Sequence, residues 1–161
     1  MISYKKSINI LKKSKIIIKD EIIKSNDCFN RVVASNIFSR TNNPLADNAA
    51  FDGFAINSRD TKNLNKKKKR LFKILGTIAA GDKPLNNKIK KFQTVEIMTG
   101  GIIPKGLNTI IPIEQIFYHP NKKKPKYILI DKKINKSQHI RLKGSDCKKN
   151  DLLIKKGTIL Q

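Results

Sequence analysis

Three short stretches hold residue types that could do chemistry: Asn48-Ala-Ala-Phe-Asp-Gly-Phe-Ala55, Glu96-Ile-Met-Thr-Gly-Gly101 and Arg141-Leu-Lys-Gly-Ser-Asp146. In the first, Asp52 precedes Gly53, and a glycine lets the chain turn where other residues resist. Ala49 and Ala50 beside it are small enough for a ligand or another chain to come close. In the second, Thr99-Gly100-Gly101 makes a corner at a strand end. Successive backbone N–H groups and one hydroxyl there could seat a phosphate or another oxyanion. In the third, Asp146 follows a Gly-Ser turn among lysines, where a carboxylate could hold a metal or simply cap the turn. Taken singly, each stretch is also an ordinary turn.

The first stretch stands out for a second reason. Residues 42–60 hold three aspartates, one arginine and no lysine, in a chain with 35 basic and 12 acidic residues and a formal charge of +23. A segment that escapes the bias of its own chain is a candidate for function.

The elements that must position these residues follow from periodicity. Tyr4, Ile8 and Leu11 have helical spacing within residues 3–14. Ile16–Ile23 is β-branched and predicted to be extended. Ser25-Asn26-Asp27 offers caps for a short second helix with Cys28, Phe29, Val32 and Val33 on one face. Strand patterns follow at Ile37-Phe38, Phe51–Ile56, Leu71–Leu75, Thr94–Met98, Thr109–Ile113 and Tyr127–Ile130. The last two flank His119-Pro-Asn-Lys-Lys-Lys-Pro125, which suits a hairpin connection with a basic tip. The tail alternates apolar pairs, Leu152-Leu153 and Ile159-Leu160, with turns. The expectation is an α+β chain, mostly β: two N-terminal helices, then a β body.

Composition narrows the function classes. No apolar run approaches the length of a membrane-spanning helix, and the N-terminus lacks the pattern of a secretory signal. Cys28 and Cys147 have neither metal-ligand spacing nor a disulfide framework. These features predict a cytoplasmic protein. The positive charge is nearly all lysine, aromatics are 6%, and base readout and stacking favour arginine and aromatics. The bias therefore argues against a dedicated nucleic-acid surface, although a lysine-rich nucleic-acid-binding protein remains the rival reading.

Together, the motifs resemble the molybdopterin molybdenumtransferase family, the MoeA proteins and the E domain of gephyrin. The family pattern P-x-x-x-N-S-A-M-D-G-Y-A-V is similar to Pro44 followed by Asn48–Ile56. I-A-A-G is similar to Ile78–Gly81. R-I-M-T-G-A-P-L-P-x-G resembles Glu96–Gly106, and N-V-R-x-x-G-E-D resembles His139–Asp146. The likeness runs in order along essentially the whole chain.

The resemblance implies a role in molybdenum cofactor biosynthesis: Mg²⁺-dependent insertion of molybdenum from molybdate into adenylylated molybdopterin, with release of AMP. It implies Asp52, Thr99 and Asp146 as functional residues and Gly53, Gly100 and Gly101 as substrate-binding ones. Asp52 would position metal or water, and Thr99 would contact an anionic ligand through its hydroxyl and N–H. It also implies an elongated first domain (residues 1–45 and 133–161), an inserted β-rich second domain (46–132) and a homodimer. The family's third, α/β domain, which binds most of the pterin and nucleotide, and its fourth, small β domain would be absent. This chain would then be part of a composite site, inactive alone. A non-catalytic dimerisation scaffold is the further alternative. Departures from the pattern are Ala49 for Ser, Phe51 for Met or Val, Phe54 for Tyr, Gly101-Ile102 for Ala-Pro, and Asn30 and Asn150 for glycines. Ala49 and Phe54 each lose a hydroxyl that could orient the site.

Overall fold

The computed structural model of the chain describes residues 1–14, 18–83, 85 and 88–161. Within it, α1 (Tyr4–Lys13) precedes ten strands: β1 (Ile37–Phe38), β2 (Asn48–Ala49), β3 (Gly53–Ile56), β4 (Arg70–Ile78), β5 (Gln93–Ile97), β6 (Thr109–Pro112), β7 (Phe117–His119), β8 (Tyr127–Ile130), β9 (Ile140–Arg141) and β10 (Leu152–Ile154). The architecture is mostly β, as the sequence predicts. Six strands form one sheet in the order β6-β3-β5-β4-β8-β7, and β1–β10 and β2–β9 form two small sheets.

Alternation explains why the large sheet is stable. Successive side chains of a strand face opposite sides, and at the centre of this sheet both sides carry apolar clusters. Ala55, Ile78, Val95, Ile97 and Ile110 join one apolar cluster. Their neighbours Phe54, Ile56 and Ile111 join the other, with Phe72, Ile128 and Ile130. β3 and β6 are therefore buried along their whole length, whereas in β4 only Phe72 and Ile78 are fully buried. Buried hydroxyls are satisfied: Thr94 Oγ1 donates to the Ala55 carbonyl at 2.8 Å. Thr61 Oγ1 accepts from Ile134 N–H at 2.9 Å. All named neighbours in the sheet are antiparallel except β4 and β5, which run parallel.

The chain divides into two compact units, residues 1–37 with 152–161, and residues 38–151. Segments 38–45 and 133–151 cluster with the sheet in this division. In the first unit, α1 is capped by Ser3, whose side chain accepts from Lys6 N–H, and carries no buried residue. Tyr4 and Leu11 lie exposed, and Val33 is the one buried hydrophobic among the unit's described residues.

Two expected elements are corrected. No second α-helix forms over Cys28–Val33. A short 3-10 turn spans Ser25–Asp27, and the following residues pair with the tail. Asn30 N–H donates to Leu160 C=O, Val33 N–H to Thr158 C=O, and Gly157 N–H back to Val33 C=O. Residues 18–23, the described part of the predicted extended stretch, form no strand, and Ile16 and Ile17 lie outside the described residues. The basic hairpin joins β7 to β8, whereas β6 lies at the far edge of the sheet. Phe117–His119, unread in the sequence, is the true partner strand. Asn30 and Asn150, where the motif has glycine, both have left-handed backbones, with φ of 59° and 72°. Asparagine is one of the few residues that tolerates that region.

Candidate functional site

The site lies wholly in the second unit, where two loop ends are drawn together by backbone. Ala49 N–H donates to Gly101 C=O, and Gly100 N–H donates to Ala49 C=O, each at 2.9 Å. Ala50 N–H donates to His139 C=O at 3.0 Å, extending the β2–β9 ladder. Asp52 follows at an exposed tip, with its carbonyl accepting from Ile113 N–H at 3.0 Å.

Asp52 and Thr99, 47 positions apart, are brought into direct contact. Asp52 Oδ1 accepts both the Thr99 N–H and the Thr99 hydroxyl, at 2.7 Å each. Both residues are exposed. The Thr99 N–H foremost, and then its hydroxyl, hold the Asp52 carboxyl below the usual carboxylate range, while slight desolvation works weakly the other way. Hydrogen bonds to the charged form lower a carboxyl pKa in this way. Oδ2 takes no hydrogen bond among the described residues, so one anionic oxygen faces outward.

The glycines serve packing. Gly53 is buried in β3 between β5 and β6. A Cβ there would stand 2.2 Å from the Ile111 carbonyl oxygen, so only glycine fits. Gly101 is also buried, and its Cβ would meet Ile97 Cγ1 at 2.8 Å. Gly100 turns the corner with φ of 83°.

Three expectations change here. The corner is not an open seat for an oxyanion: Thr99 N–H is spent on Asp52, Gly100 N–H on Ala49 and Gly101 N–H on Met98 C=O. The space beside Ala49 is taken by the chain itself, and Ala49 is 1% exposed. Phe54 is a core residue whose ring meets Tyr118 edge to face, so a hydroxyl there would not orient the tip. Burial, with Glu96 and Glu114 nearby, pushes the Tyr118 phenol up.

Asp146 is held by a different set of partners. Its Oδ2 accepts from Arg141 Nη2 at 2.6 Å and Asn43 Nδ2 at 3.4 Å, and its Oδ1 from Ser145 Oγ at 3.3 Å. Sequence reasoning missed the Ala49 clamp and the His139 carbonyl, because both act through backbone and leave no residue signature. It also missed Asn48, whose buried Oδ1 has no partner among the described residues; a water or ligand donor would satisfy it. Among the described residues, no three His, Cys, Asp or Glu side chains gather to hold a metal, and no helix is long and apolar enough to cross a membrane.

Comparison with known proteins gives one consistent picture. Residues 2–161 match the MoeA N-terminal region, domain I and II. The molybdopterin molybdenumtransferase of Staphylococcus aureus is 30% identical over 132 residues, covering 81% of this chain and 30% of the relative. That of Staphylococcus epidermidis is 27% identical over 156 residues, covering 97% and 36%. Among solved structures, a molybdopterin biosynthesis MoeA protein from Pyrococcus horikoshii superposes with a TM-score of 0.86 at 27% identity, covering 99% of this chain and 39% of that one. A molybdopterin biosynthesis MoeA protein from Pyrococcus horikoshii OT3 gives 0.75 at 28% identity, covering 84% of this chain and 34% of that one. The chain thus spans about a third of the length of the curated relatives it matches.

Proposed function

The chain belongs to the MoeA family, as its N-terminal region, and from that premise we propose that it supplies the Asp52 tip of a molybdopterin molybdenumtransferase. The reaction is the insertion of molybdenum from molybdate into adenylylated molybdopterin, with release of AMP. One observation carries the assignment to this tip: an exposed carboxylate with one oxygen locked by Thr99 and the other without a hydrogen bond among the described residues.

The chemistry of the tip fits Mg²⁺. This hard cation is commonly bound by one or two carboxylates plus substrate phosphate and water. Asp52 Oδ2 would be the protein ligand here, and it stays ionised because Thr99 stabilises the charged form. When bound, Mg²⁺ would offset negative charge on the adenylate phosphate. Thr99 fixes the orientation of the carboxylate, and Gly53 and Gly101 let the strands that carry both ends pack closely. The corner's own N–H groups being occupied, contacts to the anionic substrates come from the metal and from the remainder of the composite site. The chain's formal charge of +23 favours the approach of anions to the protein as a whole.

The partner is a second copy of the protein. The first unit exposes Phe29, Val32, Leu153 and Ile159, more apolar surface than a unit with so small a core leaves to water without cause. Asp146, tied to Arg141, contributes by holding its own turn.

Turnover tests this reading. The chain is joined to the remaining part of the Staphylococcus aureus relative, and molybdenum insertion into adenylylated molybdopterin is measured. Asp52→Asn is expected to cut turnover by about 10²-fold, the scale for removing one electrostatic group from a site. Unchanged turnover in a folded protein would leave a dimerisation scaffold as the better reading. The 161-residue chain alone is expected to give no turnover above background.

A further inference from the structure

We propose that the rings of Phe51 and His139 form a brace that holds the Asp52 tip against Thr99, which makes His139 a positioning residue. The proposal rests on the reading of Asp52 given above. The rings meet edge to face, with centroids 5.0 Å apart and planes at 82°, the geometry that aromatic quadrupoles favour.

His139 is the anchored half. The segment around it is bonded residue after residue. Ser137 N–H donates to Asn108 C=O at 2.8 Å, Ile110 N–H to Gln138 C=O at 3.1 Å, and Ala50 N–H to His139 C=O at 3.0 Å. Ile140 and Arg141 then pair with Ala49 and Asn48. His139 itself has φ of 57°, a conformation in which histidine is more frequent than most residues. The backbone therefore presents the ring from a fixed place.

Phe51 is the loose half. It is 52% exposed and belongs to neither apolar cluster. Ala50 before it is tied to His139, and Gly53 after it is fixed in β3. Phe51 and Asp52 thus bridge two fixed points. Pinning the Phe51 ring removes freedom from the residue that carries the carboxylate. The two positions also depart from the family pattern together: Phe51 stands where the motif has Met or Val, and His139 where it has Asn.

Amide hydrogen exchange, followed by NMR on the chain without ligand, tests the brace. His139→Asn keeps a residue that tolerates the left-handed backbone and keeps the carbonyl, but removes the ring. Phe51→Ala removes the other ring. Each is expected to lower protection of the Thr99 amide by about two- to tenfold, the range that an edge-to-face aromatic pair commands. The double variant should lose no more than either single one. Phe51→Tyr should retain wild-type protection, and the Ala50 amide should stay protected in His139→Asn. Thr99 protection unchanged in Phe51→Ala, or losses that add in the double variant, would overturn the proposal. If His139→Asn does not fold, the Phe51→Ala and Phe51→Tyr pair decides alone. Exchange at Thr99 needs neither substrate nor metal. Its outcome is thus separate from that of Asp52→Asn turnover, which decides the functional reading.

Discussion

The two acidic corners of the second unit are built from the same residue types and end in opposite electrostatic states. Asp52 precedes a glycine, and Asp146 follows one by two positions. At Asp52 the donors are an amide and a hydroxyl of one threonine, both on Oδ1. They fix the carboxylate without cancelling its charge. At Asp146 a guanidinium takes Oδ2, and a serine hydroxyl takes Oδ1. The charge is neutralised on the spot, and both oxygens are in use. The lesson is that a carboxylate in a basic chain becomes available when neutral groups position it, and becomes structural when an arginine does.

The sharpest way to break the comparison is at the glycines. Gly53→Ala would force a Cβ into the Ile111 carbonyl. It is expected to cost about 3 kcal/mol in denaturant unfolding, since backbone cannot give way as a side chain can. Next comes turnover. Where Asp52→Asn should lose about 10²-fold, Asp146→Asn should stay near wild type in the same assay, because its oxygens already have partners. Gly144→Ala is milder than Gly53→Ala. Its φ is 71°, and the nearest atoms, Asn42 Oδ1 at 3.2 Å and Lys148 Cγ at 3.3 Å, belong to side chains. A loss of about 1 kcal/mol is expected.

The pH dependence of stability sharpens the contrast further. The Asp52 carboxyl is depressed in the folded protein. Its contribution is therefore fully present above the ordinary aspartate value of about 3.9 and is lost as pH falls through the folded value. Melting temperatures of the wild type and Asp52→Asn should differ at neutral pH and converge in acid. A gap that stays constant would contradict the lowered titration. The smallest effect belongs to the exposed Arg141–Asp146 pair. Arg141→Gln should change unfolding free energy by about 0.2–1 kcal/mol, less at high salt.

The sequence foretold some parts of the molecule and not others, for physical reasons. β5 and β6 are legible because most of their residues are buried, and β4 and β8 because more and less buried positions alternate along them. The meeting of Asp52 and Thr99 has no local signature, since no local pattern links residues 47 positions apart. The two-residue strands β2 and β9 are not legible, because their pairing is backbone to backbone. Cys28–Val33 has apolar spacing that suits a helix, yet forms none. Pairing with Thr158 and Leu160, far along the chain, overrides that local preference. By residue type the Thr-Gly-Gly corner offers donors to an anion. Its donors are instead consumed by Ala49, Asp52 and Met98, a fact about satisfaction that no residue type announces.

Spent amides have a consequence for anyone seeking a small molecule against this loop. With the corner's three N–H groups engaged and an unshared carboxylate oxygen outermost, the surface is one of acceptors. Without a cation on that oxygen, a compound built to mimic the phosphate of the natural substrate would find no free amide donor at this corner. An amidine or diamine, bringing protons and positive charge, is the complementary scaffold.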